Sequence, residues 1–272
     1  MNRNSSLSLL IALTILVAAC GGGAPTAVPT SGDTSPQKGG EITVVYKDDL
    51  ATLDPAIGYD WTNWPTIKLV FDGLLDYDEG TAIMPRLAES LPSVSADGLT
   101  YTFKLRKGVK FTNGREFAAD DVVYTITRVL DPKTGSPGAG FFVGIQGAQE
   151  FMDGTATSVE GVKALDANTV QFTLASPDVT FLNKMALNFA FIVPKEEVEK
   201  EGENFGHKPT GTGPYMLKEW KSGEFLVFER NPNYFFEGRP YIDKITIQVG
   251  VAPDVALVRL EKGEIHMLGG DV

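Results

Sequence analysis

The sequence predicts an α/β fold of the mixed α+β kind, built on a mixed sheet. Three observations point there. Short stretches alternating apolar and polar residues come in pairs around turn dipeptides such as Asp97-Gly98 and Asn113-Gly114. Stretches with apolar residues at helical spacing are interspersed among them. The body from Gly40 to Val272 is long enough for one large core or two smaller ones.

Taken in order, Glu41–Tyr46 is rich in β-branched residues and reads as a strand. Residues 52–65, TLDPAIGYDWTNWP, form a loop. A helix follows from Pro65, because Ile67, Val70, Phe71, Leu74 and Leu75 repeat at i, i+3, i+4, i+7 and i+8, with Asn63 as its cap. Leu99, Tyr101, Phe103 and Leu105 alternate with polar residues as a half-buried strand. A helix spans Ala119–Leu130: Val122, Ile126, Val129 and Leu130 share a face, Asp120 and Asp121 sit at its positive end, and Asp131-Pro132 stops it. Residues 134–142, TGSPGAGFF, are a loop. Residues 162–174 form a hairpin about Asp166–Asn168. Helices are expected near Val179–Leu187, over Lys195–Glu201 before Gly202, and over Val255–Lys262 before Gly263. Phe189–Val193 and residues 215–220, 224–230 and 243–249 read as strands.

The first twenty residues have a different character. Leu7 to Ala19 runs thirteen residues without a charge, behind Arg3. A membrane-spanning helix needs about twenty, so the run reads as the apolar part of an export signal, residues 1–19. Val17-Ala18-Ala19-Cys20 resembles the bacterial lipobox, whose cysteine carries the lipid. Cys20 is the only cysteine in the chain, so it has no intramolecular disulfide partner. The alternative is an ordinary secretory signal with an incidental cysteine. Residues 20–39, rich in glycine, proline and small polar residues, form a flexible tether.

The chain has 35 acidic and 24 basic side chains, a net charge of −11. This argues against nucleic acid as a partner, which Lys and Arg would have to hold. The two histidines, His207 and His266, have no metal-ligand spacing around them, and no nucleophile elbow or phosphate loop is present. No catalytic residue, metal or cofactor is expected. Paired acids such as Glu196-Glu197 read as solvated charge, although distant carboxylates brought together by the fold would escape this reading. The unusual feature is aromatic. Tyr59, Trp61 and Trp64 lie in a polar, proline-flanked loop, and Phe141 and Phe142 follow a glycine-rich one. Such rings either plug the core or line a recognition surface.

Several stretches in order resemble the extracytoplasmic solute-binding proteins of ABC importers, the oligopeptide/dipeptide/nickel-binding family 5. They are LDPAIGYD, VFDGLLDYDEG, DGLTYTFKLRKGVKFTNGREFAADDVVYTITRVLDP (97–132), PTGTGPYMLKEWKSGEFLVFERNPNYF (209–235) and RLEKGEIHM (259–267). Two departures are small: Asn113-Gly114 stands for Asp-Gly, and His266 stands where Asp is usual.

The resemblance implies a periplasmic-binding-protein-like type II fold with two lobes about a hinged cleft. It implies that this chain holds lobe I only, with lobe II and the returning C-terminal segment missing. Residues 40–70 and 190–267 would be the split main part of lobe I, 71–189 an inserted subdomain, and 268–272 the start of lobe II. Tyr59, Asp60 and Trp61 would pair with an extended ligand, and Gly211, Thr212 and Gly213 would lie near the cleft, although Thr212 equally suits a plain turn. Phe141 joins the ligand-facing candidates. The implied role is a lipid-anchored, extracytoplasmic, monomeric receptor that hands a peptide or related solute to a membrane permease, without chemistry of its own. The competing readings are a surface hydrolase on the same tether and a sensor or scaffold lipoprotein.

Overall fold

A computed structural model describes residues 36–269. In chain order its elements are β1 (Glu41–Val45), α1 (Asn63–Val70), β2 (Leu75–Tyr77), β3 (Ile83–Pro85), β4 (Ser93–Val94), β5 (Thr100–Lys104) and α2 (Ala119–Leu130). After a 3-10 turn at Ala139–Phe141 come α3 (Ala148–Met152), β6 (Val162–Asp166), β7 (Thr169–Thr173) and α4 (Phe181–Met185). A 3-10 turn at Asn188–Ala190, α5 (Lys195–Glu201) and another 3-10 turn at Gly202–His207 lead to β8 (Tyr215–Lys221), β9 (Phe225–Arg230) and β10 (Lys244–Gln248). The described chain ends with α6 (Pro253–Glu261) and β11 (Met267–Leu268). The export signal, Cys20 and nearly all of the tether lie outside the described residues.

The mixed sheet is present. Five strands run in the order β11-β1-β10-β9-β8. β1 pairs in parallel with β10 and β11, and β9 is antiparallel to both β10 and β8. A separate antiparallel sheet has the order β4-β5-β7-β6, and β2 pairs with β3. Each sheet buries its own apolar face. Val44, Leu226, Phe228, Ile245 and Ile247 from the first pack with Ile67, Val70 and Phe71 of the α1 region. Tyr101, Phe103, Val170 and Phe172 from the second pack with Val122, Ile126 and Val129 of α2. α2 starts at a clamped carboxylate: Asp121 accepts the Ala118 N–H at 2.9 Å and takes Arg115 bidentately at 3.0 and 2.6 Å.

Three elements differ from the sequence expectation, each for a tertiary reason. The helix read from Pro65 through Leu75 spans only Asn63–Val70. Phe71 is already extended, and Leu74 and Leu75 enter the second core and the β2 hairpin. A buried polar knot overrides the helical spacing here. The Asp72 carboxylate, 3 % exposed, accepts Arg86 Nη2 at 2.9 Å and Nε at 3.2 Å, and Thr212 Oγ1 at 3.2 Å. Arg86 Nη2 also donates to Tyr234 Oη at 2.7 Å, and the Asp72 carbonyl accepts the Ile192 N–H at 3.0 Å. A continued helix would aim these groups elsewhere.

The helix cap is the second difference. Asn63 is the first residue of α1, and Asp60 caps it. The third is Phe189–Val193, which is a 3-10 turn leading into unladdered chain. Its alternation is real. Phe191 and Val193 enter the core of the five-stranded sheet, while Phe189, Ala190 and Ile192 enter the other. The segment runs between two cores, and its N–H groups find partners outside any ladder, Val193 donating to Thr125 Oγ1 at 3.1 Å.

Burial pushes the Asp72 carboxyl up, against the downward pull of Arg86. The Asp72→Ala variant is expected to lose about 3 kcal/mol of stability, because it leaves the Arg86 guanidinium largely buried beside an empty place. Urea unfolding of the two proteins side by side checks this; a loss under about 0.5 kcal/mol would show that the knot does not hold the fold.

Candidate functional site

The loop before α1 is tied down from behind at nearly every residue. The Leu53 N–H donates to Gly206 O at 3.0 Å. Asp54, 7 % exposed, forms a bidentate pair with Arg128 of α2 at 2.8 and 2.5 Å and accepts the Ala56 N–H at 3.0 Å. The Ala56 carbonyl accepts Ser136 Oγ at 2.5 Å. The Gly58 carbonyl accepts the Trp64 indole N–H at 3.1 Å, and Asn188 Nδ2 donates to Trp64 O at 2.9 Å.

Asp60 closes the loop onto the helix. Its Oδ1 accepts the N–H groups of Thr62 at 2.9 Å and Asn63 at 2.7 Å and the Thr62 hydroxyl at 2.7 Å. Its Oδ2 accepts Asn63 Nδ2. Partial burial pushes this carboxyl up, and the Asn63 and Thr62 hydrogen bonds outweigh it, so the net pKa lies below the usual carboxylate value. The backbone of Tyr59 and Trp61 meets no hydrogen-bond partner among the described residues. Pro65 contributes to this, since it has no N–H to offer the Trp61 carbonyl four residues back.

What the loop presents is aromatic. Trp61 is 84 % exposed and Tyr59 57 %. Tyr59 lies 5.5 Å from Trp64 and 5.3 Å from the fully buried Phe189, ring centroid to centroid. Trp64 meets Phe189 edge-on at 5.9 Å, and Phe141 stacks on Phe189 at 5.9 Å. Buried and open rings therefore occur in one cluster. Phe189 and Trp64 are the plug, Tyr59 rests on them with its outer face open, and Trp61 has no ring partner. A cavity of about 630 Å³ opens here, lined by Tyr59, Asp60, Trp61, Trp64, Pro65 and Lys68. Lys68 Nζ is held by Asp76 Oδ1 at 2.6 Å.

Of the expected ligand-facing residues, Tyr59, Asp60 and Trp61 come together at this cavity, and Phe141 reaches it only through Phe189. Gly211, Thr212 and Gly213 are buried elsewhere, against the end of α1. A Cβ on Gly211 would stand 2.1 Å from Val70 O, and one on Gly213 2.6 Å from it. The Gly213 N–H donates to that carbonyl at 2.8 Å, and Thr212 Oγ1 serves Asp72. Lys68 was missed by sequence reasoning, yet a signal for it exists. Trp61, Trp64, Pro65 and Lys68 fall at i, i+3, i+4 and i+7, the polar-side counterpart of the face that buries Ile67 and Val70. Among the described residues, no group of three or more His, Cys, Asp and Glu is placed to hold a metal, and no helix is long and apolar enough to cross a membrane.

The fold has close counterparts. The Escherichia coli murein tripeptide binding protein MppA superposes with a TM-score of 0.78 at 34 % identity, over 84 % of this chain and 45 % of that one. Protein XP55 of Streptomyces lividans is 34 % identical over 89 % of this chain and 41 % of its own length. The oligopeptide-binding protein AppA of Bacillus subtilis is 31 % identical over 96 % of this chain and 46 % of its own. The chain thus spans less than half the length of these relatives. The overlap has the periplasmic-binding-protein-like fold expected from the sequence. Residues 82–271 match the pattern of the bacterial extracellular solute-binding proteins, family 5, middle region, and the chain belongs to that family.

The lowered Asp60 pKa gives a pH test with a definite sign. A carboxylate depressed in the folded state adds stability above its unfolded pKa of about 3.9 and loses it as pH falls through the folded value. The melting temperature of the parent should exceed that of Asp60→Asn by a constant margin above about pH 5. The margin should narrow progressively below about pH 4. A margin independent of pH from 6 down to 2.5 would remove the charge from the account.

Proposed function

We propose that this protein is the substrate-binding component of an ABC importer, lipid-anchored through Cys20 outside the cell membrane, which captures peptides and delivers them to a permease. The observation that carries the reading is the loop at Tyr59–Trp61. It is held rigid from behind, its rings face solvent, and the backbone donors and acceptors of Tyr59 and Trp61 are unused, while the Asp60 carbonyl accepts the Trp64 N–H at 3.2 Å. An extended peptide pairs with such a backbone without its side chains being read, and a loop already in place pays little ordering entropy on binding. Relatives named for oligopeptide and murein tripeptide binding support the same ligand class.

The division into two large apolar cores supports a lobe I made of a main part, residues 40–70 and 190–267, and an inserted subdomain, residues 71–189. An acidic, tethered body leaves the rest of the surface soluble, and a receptor of this kind works as a monomer. Nothing in the site suggests bond cleavage. Asp60, the one carboxylate at the cavity, has its oxygens filled by donors and its pKa held low, the opposite of a general acid.

Two measurements test the reading. Native mass spectrometry of the protein taken from its membrane is expected to show a retained peptide of unchanged mass, and accumulation of cleaved product instead would favour a hydrolase. Metabolic labelling with an alkyne fatty acid is expected to mark the parent and leave Cys20→Ser blank; label on the variant would sink the anchor.

A further inference from the structure

The cavity beside Trp61 carries information about which solutes fit, and the groups that line it decide between charged and apolar occupants. Two charges are present, and each already has a partner inside the chain. Asp60 accepts three hydrogen bonds on Oδ1 and one on Oδ2. A carboxylate offers about four acceptor sites in all, so little capacity is left for a ligand ammonium or guanidinium. Lys68 is paired at 2.6 Å with Asp76, whose Oδ1 also takes the Tyr77 N–H at 2.8 Å. Asp76 neutralises the Lys68 charge, so a ligand carboxylate meets no net positive charge at this wall.

The rest of the lining is Tyr59, Trp61, Trp64 and Pro65, which offer flat apolar faces. Trp61 and Tyr59 are the exposed ones, and Trp64 is kept in place by its indole bond to Gly58 O at 3.1 Å. A volume of about 630 Å³ exceeds a single aromatic side chain and leaves room for the backbone that carries it.

We infer that this cavity is a side-chain selector: it takes one bulky apolar side chain of the bound peptide, aromatic first and branched aliphatic next, against the faces of Trp61 and Tyr59, and it discriminates against acidic and basic side chains at that position. The inference rests on the peptide-binding reading and adds a specificity to it. Backbone pairing at residues 59–61 would supply affinity common to all peptides, and the cavity would supply the difference among them. Burying a phenyl ring against an aromatic wall corresponds to about tenfold or more in affinity over an alanine side chain.

The chain has three tryptophans, Trp61, Trp64 and Trp220, so indole N–H resonances report on the site directly, with affinities measurable into the millimolar range. Trp220 packs on His207 at 4.2 Å, away from the cavity lining, and serves as the internal control. The series is Ala-Phe-Ala, Ala-Leu-Ala, Ala-Ala-Ala, Ala-Asp-Ala and Ala-Lys-Ala, titrated into the folded chain with 15N-labelled indoles. The expected result is a shift of Trp61 and Trp64 with Trp220 still, and binding of the Phe peptide about tenfold tighter than the Ala, Asp and Lys peptides. Trp61→Ala should bring the series within about twofold of one another with an unchanged melting temperature, since Trp61 packs on no ring, and Trp61→Phe should restore part of the preference. Equal binding of all five peptides overturns the selector while leaving peptide binding in place. Tighter binding of the Asp or Lys peptide overturns it in favour of charge recognition. No shift of Trp61 or Trp64 with any peptide overturns the peptide-binding reading, and the selector with it.

Discussion

One buried carboxylate organises the path of the chain. Asp72 sits just past α1, and its oxygens meet Arg86 and Thr212 while its carbonyl meets Ile192. Tyr234 joins through Arg86. Four stretches distant in sequence converge on one residue that is 3 % exposed. The knot ends α1, turns the chain into β2, and fixes the entry to β8. An unpaired charge at this depth costs several kcal/mol, so alternative paths that separate these groups are strongly disfavoured. Immediately beside it, Gly211 and Gly213 let the chain before β8 touch the last turn of α1, where any side chain would collide with Val70.

The consequence for the site is that α1 is anchored at both ends. Asp72 and Gly213 hold its C-terminus, and Asp60 caps its N-terminus. Its inner face is locked in the core by Ile67 and Val70, both essentially unexposed. The only freedom left to the opposite face is side-chain rotation, and that face carries Trp61, Trp64 and Lys68. The Asp54–Arg128 pair extends the constraint to α2, so the loop cannot swing away from the body without breaking a largely buried ion pair. A surface built this way is held in place by the fold itself, without help from any partner.

Most of the fold was legible in the sequence because its signals are local. The alternation at Tyr101–Leu105, the amphipathic face of α2, and the glycines at positive φ, Gly98 and Gly114, all act within a few residues. What was not legible depends on pairs far apart. The stop of α1 at Val70 needs Arg86 and Thr212, which no window around residue 72 contains. The unladdered course of 188–194 needs two cores on opposite sides of one segment. The strands β2, β3, β4 and β11 have only two or three residues each, too few for a period to show. At the site, the loop and its rings were visible as rings out of phase with any element. Their sorting into plug and open face was not, since it depends on Phe189 arriving from 125 residues beyond Trp64. At His266, the departure from pattern, Nδ1 accepts the Thr43 N–H at 3.0 Å, and the backbone N–H of His266 donates to Thr43 O at 3.0 Å.

The arrangement of rings also bears on why the loop keeps its aromatics outside. A tryptophan side chain that is 84 % exposed gains almost nothing from the fold, and an exposed indole beside an exposed tyrosine makes a contiguous apolar surface. If stability alone governed the position, a polar residue would serve as well at 61, because Trp61 makes no ring contact and no hydrogen bond among the described residues. The core contribution of the cluster comes instead from Trp64 and Phe189, which pack edge to face. Tyr59 stands between the two roles, one face on the plug and the other open. This division places stabilising and solvent-facing aromatic surface on different rings three residues apart, so the exposed ring can be changed while the plug that positions it stays in place.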